Sequence, residues 1–329
     1  MPAEHVEHVA PVEPVRRFGL GTAASGRPGY INLGRELDLP ADRTVEAMRE
    51  RTHELLDTAY AAGVRYFDTA RSYGRAEEFL GEWLAGRPFT DVTVGSKWGY
   101  TYTADWRTSG VPAHEVKEHS VAVFDRQVRE TRALLGRHLD LYLVHSVTPD
   151  SPALTDPALH ARLAGLAAEG VRVGLSTSGP AQARAIRAAL GVTVDGRPLF
   201  SAVQATWNLL ETSAAPALAE AHAAGWRVVV KEAMANGRLA DRNATGPDTA
   251  ALRALAARTG HSCDALALAA AAARPWADTV LSGAATPRQL ASNLTAAEVG
   301  LTGEQAAGLA AMTEPAEQYW RTRAALPWG

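Results

Sequence analysis

Residues 139–177 read LDLYLVHSVTPDSPALTDPALHARLAGLAAEGVRVGLST, and the alternation inside this stretch decides the fold. LDLYLVHS (139–146) and VRVGLST (171–177) are short runs rich in Val, Leu and Tyr with strand character, and 157–169 between them has helical period. Thr-Asp-Pro at 155–157 offers an N-cap with proline entering the first turn. Glu-Gly at 169–170 places a glycine at the helix C-cap just before the second strand. Strand, helix, strand in this order is the repeating unit of a parallel sheet.

The unit recurs along the whole chain. Further strand-like runs are RFGLGT (17–22), VRYFDTA (64–70), DVTVGSK (91–97), SAVQATWN (201–208), WRVVVKEA (226–233) and DTVLSGAA (278–285), eight with the two above. Helical stretches lie near 44–62, 75–85, 120–135, 181–190, 214–224, 248–273 (broken around Gly260) and 287–297, with a further one at 302–313. Eight such units close a barrel in about 250 residues, so the expected fold class is α/β, a (β/α)8 TIM barrel, with 1–329 as a single domain. Residues 1–15 are expected to be flexible, and 23–43 and 99–118 to be loop insertions after strand C-termini. Residues 298–329 are expected to form an extra helix and a C-terminal tail folding over the barrel mouth.

Composition narrows the classes. With 33 Lys+Arg against 36 Asp+Glu the net charge is −3, so nothing in the charge balance calls for nucleic acid or an anionic membrane as partner. At 47% hydrophobic and 21% charged residues, a chain this long can bury about three-quarters of its unfolded surface without staples. Cys263 is the one cysteine, which excludes an intramolecular disulfide framework and a Cys-rich metal site. The first residues lack the basic start and apolar run of a secretory signal, and no run approaches the ~18 apolar residues that span a bilayer. The expectation is a cytoplasmic protein without a metal, acting on a small molecule, its oligomeric state left open.

In a barrel, reactive groups sit at the C-terminal ends of strands. The second run ends at Asp68 with Tyr73 five residues on, the third ends at Lys97 and the fourth at His145. Barrel geometry makes these three strands neighbours. A phenol with an ordinary pKa of about 10 exchanges protons poorly at neutral pH until a nearby cation favours its ionised form. Lys97 supplies that cation, Asp68 holds the ammonium, and His145 orients a substrate carbonyl toward Tyr73. Carbonyl reduction with an external hydride donor suits the set.

At these residues a resemblance appears: FDTARSYG (67–74), GSKWG (95–99) and LYLVHS (141–146) resemble the catalytic segments of the aldo-keto reductase family, in order along the chain. The resemblance implies an NAD(P)-dependent oxidoreductase acting on an aldehyde, ketone or sugar-type alcohol, with NADP(H) favoured over NAD(H). FGLGTA (18–23) resembles the segment near the nicotinamide, implying Gly21 and Thr22 beside Asp68. GLSTSG (174–179) and VQATWN (203–208) resemble the carboxamide-binding segments, implying Ser176, Thr177 and Gln204. SGAATPRQLASN (282–293) resembles the phosphate and adenine clamp, implying Gly283, Ala285, Gln289 and Asn293, and Arg288 stands next to the position where many members carry arginine. Gly237 is implied on the cofactor side as well. Where the family presents an aromatic ring after strand seven, the chain has Lys231, whose charge is offered to a pyrophosphate or a substrate carboxylate with Glu232 beside it. Trp98, Tyr100 and Trp207 are expected to form an apolar substrate wall.

Bland readings win elsewhere. GLGTAASG (19–26) lacks the spacing of a Rossmann fingerprint, Glu77-Glu78 are adjacent and diverge on a helix, and His5 and His8 lie in the N-terminal segment. Two other functions remain open: a Schiff-base aldolase-type lyase using Lys97 or Lys231, and a redox-sensing cofactor-binding module with little turnover.

Overall fold

The computed structural model describes residues 14–39, 42–85 and 87–328. Eight parallel strands close a barrel: β1 (Phe18–Gly21), β2 (Tyr66–Asp68), β3 (Thr93–Trp98), β4 (Leu141–Val147), β5 (Arg172–Thr177), β6 (Ala202–Thr206), β7 (Arg227–Lys231) and β8 (Thr279–Ser282). They pair in sequence order, and β1 closes on β8 with Phe18 opposite Val280. The outer layer is α1 (Val45–Ala61), α2 (Ala76–Ala85), α3 (Val121–Leu135), α4 (Pro157–Ala168), α5 (Gln182–Leu190), α6 (Ala215–Ala223), α7 (Ala250–Thr259), α8 (Cys263–Ala272) and α9 (Pro287–Leu294). The eightfold strand–helix alternation read from the sequence is therefore the observed architecture, and α7 and α8 are separated at Gly260.

The local signals act as their chemistry requires. Asp156 accepts hydrogen bonds from the backbone N–H groups of Ala158 and Leu159 at the start of α4, with Pro157 in the first turn. After α4, Gly170 takes φ +94°, a conformation that costs glycine nothing and a side-chain-bearing residue a good deal.

Strand alternation sorts the core into two layers. Tyr66, Leu141, Leu143, Ala202, Val229 and Leu281 point into the barrel and fill its lower half. Their chain neighbours Phe67, Tyr142, Val144, Val203, Val228, Val230 and Val280 point outward and pack under the helices. The inner layer is tight: a Cβ on Gly95 would lie 2.5 Å from the Tyr66 hydroxyl. The clefts of the C-terminal mouth lie above this packed plug.

Several segments differ from the sequence expectation. The 99–118 insertion contains an antiparallel hairpin, Tyr100–Tyr102 with Glu115–Lys117, and the 23–43 insertion contains a helical turn, Arg35–Asp38. The C-terminal region holds two helices rather than one, α10 (Gly303–Ala310) and α11 (Ala316–Ala324). Tyr319 and Trp320 of α11 are buried against Leu209, Leu210 and Leu239. Trp328 then forms a β-bridge with Ile31, so the tail does cross the mouth. Pro14–Arg17 forms a 3-10 turn, and residues 1–13 with His5 and His8 lie outside the described residues. No helix among the described residues is long and apolar enough to cross a membrane.

Candidate active site

The inward-pointing residues at the C-terminal ends of the strands form one floor. Counting by twos up each strand from the inner layer reaches Gly21, Asp68, Lys97, His145, Ser176, Gln204 and Lys231. Above this floor lies a cleft of about 1240 Å³ lined by, among others, Asp68, Tyr73, Tyr100, His145, Gln204, Lys231, Gly237 and Gly283.

Lys97 and Asp68 form a fully buried ion pair, and the Lys97 ammonium also donates to the Thr69 carbonyl (2.9 Å). Gln204 Nε2 donates to the other Asp68 oxygen at 2.7 Å. Burial pushes the Asp68 carboxyl up, and Lys97 and Gln204 oppose that push. The Lys97 Nζ lies 4.9 Å from the centre of the Tyr73 ring, within cation–π range. Burial raises the Tyr73 phenol well above its ordinary value, with Asp68 acting in the same direction and Arg27 against it.

His145 stands edge-on to Tyr73, ring centres 5.7 Å apart, and to Tyr100 at 4.9 Å. Its pKa is driven well below the usual histidine range by burial and then by Lys97, Lys231 and Arg27, so the imidazole is neutral. His145 Nδ1 is buried without a hydrogen-bond partner among the described residues. Behind it, His119 Nε2 meets the His145 carbonyl at 2.8 Å and Nδ1 meets Ser151 Oγ at 2.7 Å, and burial holds His119 near pKa 4.

Across the cleft, Lys231 donates to Thr206 Oγ1 (2.8 Å) and lies 3.7 Å from Glu232. Burial lowers the Lys231 ammonium to about 8. Against the upward pull of burial, Arg323 of α11 and Lys231 hold Glu232 down at about 2. Backbone turns through the left-handed region immediately after two floor residues, at Ser146 (φ +57°) and Glu232 (φ +56°), the kind of strain that clusters at functional sites.

Trp98, Trp207 and Thr177 are among the expected contacts that lie elsewhere. Trp98 packs on Phe124 and His119 under α3, Trp207 packs on Trp276 and Arg274, and Thr177 Oγ1 donates to Gln182 of α5. Trp98 and Thr177 occupy the outward parity of their strands, one residue out of step with the floor, and Trp207 directly follows the end of β6. Tyr100, Tyr30 and Trp328 supply the aromatic wall instead. Thr22 is buried with its hydroxyl on the Asp68 carbonyl (2.9 Å), which ties β1 to β2.

A second cleft of about 830 Å³ adjoins the first through Asn32, Met234, Gly237 and Gly283 and reaches Arg288, Gln289 and Asn293. Gln289 is engaged with the Ala285 N–H (2.9 Å) and with Asp38 (2.6 Å), and Asn293 donates to Ser282 Oγ (2.9 Å). Ala285 itself is buried against Leu39, Met48 and Phe79. Arg288 is exposed and makes no ion pair among the described residues. Within the same bounds, no group of three or more His, Cys, Asp and Glu is arranged to hold a metal ion. Sequence reading missed Arg27 and Tyr30 in the loop after β1, Glu115 in the hairpin, Asn236 in the turn after β7 and Arg323 in α11, all outside the strand–helix repeat that assigns residues to the site.

The barrel and its site define a class, and comparison with known proteins agrees. The chain matches the model of the Aldo/keto reductase family over residues 33–314. It belongs to that family, whose members are oxidoreductases that use nicotinamide cofactors, usually NADP(H), on small-molecule carbonyl compounds. Among curated relatives, "Aldo-keto reductase str7" of Strobilurus tenacellus is 30% identical over 142 residues, 42% of this chain and 38% of that protein. "Aryl-alcohol dehydrogenase [NADP(+)]" of Phanerodontia chrysosporium is 29% identical over 106 residues, 30% of this chain and 26% of that protein. The chain thus matches well under half the length of these two relatives. In fold it is similar to an aldo-keto reductase from Bacillus halodurans in its holo form, with TM-score 0.69, 23% identity and coverage of 92% of this chain and 95% of that one.

Proposed function

We propose that this protein is an NAD(P)-dependent oxidoreductase of carbonyl compounds and the corresponding alcohols, with Tyr73 as the general acid and base. The observation that carries this reading is the meeting, on one cleft floor, of a phenol, a buried ammonium–carboxylate pair and a neutral imidazole. Tyr73 gives its proton to the carbonyl oxygen in reduction and takes it back from the alcohol in oxidation. Lys97 favours the ionised phenol, and Asp68 with Gln204 keeps the ammonium fixed beneath it. The neutral His145 ring has one N–H to donate to the same oxygen, and it carries no charge to compete with Lys97. Tyr30, Tyr100 and Trp328 exclude water from the reacting atoms.

A nicotinamide dinucleotide fits the residues present. Asn236 lines the first cleft with a buried Oδ1 that lacks a partner among the described residues, and Arg288 offers an uncommitted guanidinium in the second. When bound, the cofactor supplies or accepts the hydride. Gly21, Ser176, Gln204, Gly237 and Gly283 are assigned to its nicotinamide side, and Arg288, Gln289 and Asn293 to its phosphate and adenine side. NADP(H) is favoured because Arg288 suits an added phosphate, while the Asp38 carboxylate in the same cleft is already held by Arg242. Fluorescence titration with NADPH and NADH tests this: Arg288→Ala is expected to weaken NADPH binding more than NADH binding. Tyr73→Phe is expected to keep nucleotide binding and cut turnover of an aldehyde panel by at least ~10²-fold. Near-wild-type turnover would remove Tyr73 from the role.

A second reading has its own observation. Lys231 lines the cleft, and with its ammonium lowered to about 8 part of it is the unprotonated amine that attacks a carbonyl to form a Schiff base. Borohydride trapping followed by peptide mapping decides it, and no adduct at Lys231 dismisses a lyase.

A further inference from the structure

We propose that Arg27 is a positioning residue for Tyr73, a second cation that the loop after β1 delivers to the phenol, orienting its ring and supplying positive charge to its hydroxyl. The inference rests on the reading of Tyr73 as acid and base.

Carbonyl, carboxylate and aromatic contacts enclose the guanidinium. Arg27 is 3% exposed, and its Nη1 donates to the carbonyl of Ser72, the residue before Tyr73, at 2.9 Å and to Glu115 Oε2 at 3.0 Å. Its guanidinium carbon lies 5.3 Å from the centre of the Tyr73 ring, about as near as the Lys97 ammonium at 4.9 Å. Tyr30 at 5.4 Å and Trp328 at 4.9 Å complete the cage. The backbone is built for this approach. A Cβ on Gly26 would lie 2.6 Å from the Tyr73 carbonyl oxygen, and one on Gly74 would lie 2.8 Å from Arg27 Cβ. Gly74 also sits at φ +63°, and the Arg75 N–H donates to the Gly26 carbonyl at 2.8 Å. Two glycines flank the contact and zip the loop onto the Tyr73 turn, with Arg27 and Tyr73 as the side chains pressed together.

Charge decides what the contact does. Tyr73 faces Asp68 from β2, Lys97 from β3, Glu115 from the hairpin, His145 from β4 and Glu232 from the end of β7. Each carboxylate has its own cation: Lys97 for Asp68, Arg323 for Glu232 and Arg27 for Glu115. Burial and the three carboxylates all push the phenol toward its protonated form, and Arg27 opposes them. Without Arg27, Glu115 is left as an unbalanced anion beside the phenol.

The test is the pH profile of kcat/KM for alcohol oxidation in the NADP+-loaded enzyme, where the ionised Tyr73 is the base and the rate climbs with pH, with nucleotide fluorescence and thermal midpoint reporting a folded, loaded protein. Arg27→Gln, or Arg27→Met if the amide does not fold, is expected to move this rising limb up by about one pH unit, a tenfold lower rate at a given pH on the limb. Arg27→Lys is expected to restore it, and Glu115→Gln to move it down. His114→Ala, which removes the ring stacked on Trp328 of the tail without touching Arg27 or the cleft wall, is expected to keep the wild-type limb. A wild-type limb in the neutral Arg27 variants overturns the proposal, as does an equal shift in His114→Ala, which would make Arg27 only an anchor for the tail. Failure of the underlying reading looks different: Tyr73→Phe would then retain turnover.

Discussion

At the floor of the cleft the Lys97–Asp68 pair is an ion pair closed off from water on both sides. Both partners are inside the barrel, where an ion pair adds little net stability but a lone charge is costly. Lys97→Met leaves Asp68 unpaired and is expected to cost about 3–5 kcal/mol of stability in urea unfolding. The double variant Lys97→Met/Asp68→Asn is expected to regain most of that loss, because it removes both charges. Equal instability of the two would show that packing rather than charge sets the cost. The placement of Lys97 was legible once its strand was recognised, since it ends an apolar run. Trp98 was misplaced for want of one further step: if Lys97 points in, the next residue must point out.

Among the elements, the strands and outer helices followed from periodicity, whereas the segments that complete the cleft did not. The loop after β1 depends on contact space that sequence does not display. Gly26→Ala would set its Cβ 2.3 Å from Ala76 Cβ, so the loop must shift. A loss of roughly 1–3 kcal/mol in thermal or urea stability is expected, with a fall in kcat from displaced Arg27 and Tyr73. Docking of α11 depends on the Arg323–Glu232 pair. Glu232 has its pKa lowered from 4.5 to about 2, so the unfolded chain binds the proton more readily between those values. Its stabilising contribution is present above about 4.5 and is lost as pH falls toward 2. The urea midpoints of wild type and Glu232→Gln are therefore expected to converge through that window, and a constant difference would argue that the pair does not hold the helix.

For the whole molecule, the mouth of the barrel is closed by parts far apart in the chain. Trp328 bridges Ile31, stacks on His114 with ring centres 4.3 Å apart and lies over Arg27. A chain ending at Leu326 is expected to show a raised KM for carbonyl substrate with kcat largely kept and the thermal midpoint little changed. A lost thermal midpoint would instead make the tail part of the core. By itself the sequence determined the barrel, its eight strand–helix units and the floor residues Asp68, Lys97 and His145, because alternation of period two and helical period are local and the barrel rule assigns strand ends to the site, while Gln204 and Lys231 were marked by the family resemblance of their segments. Only the tertiary structure decided what surrounds Tyr73. Arg27, Glu115, Arg323 and Trp328 come from a loop, a hairpin, a helix and a tail whose meeting depends on close backbone approach and charge pairing across long sequence separations, and such contacts leave no repeating pattern in the chain.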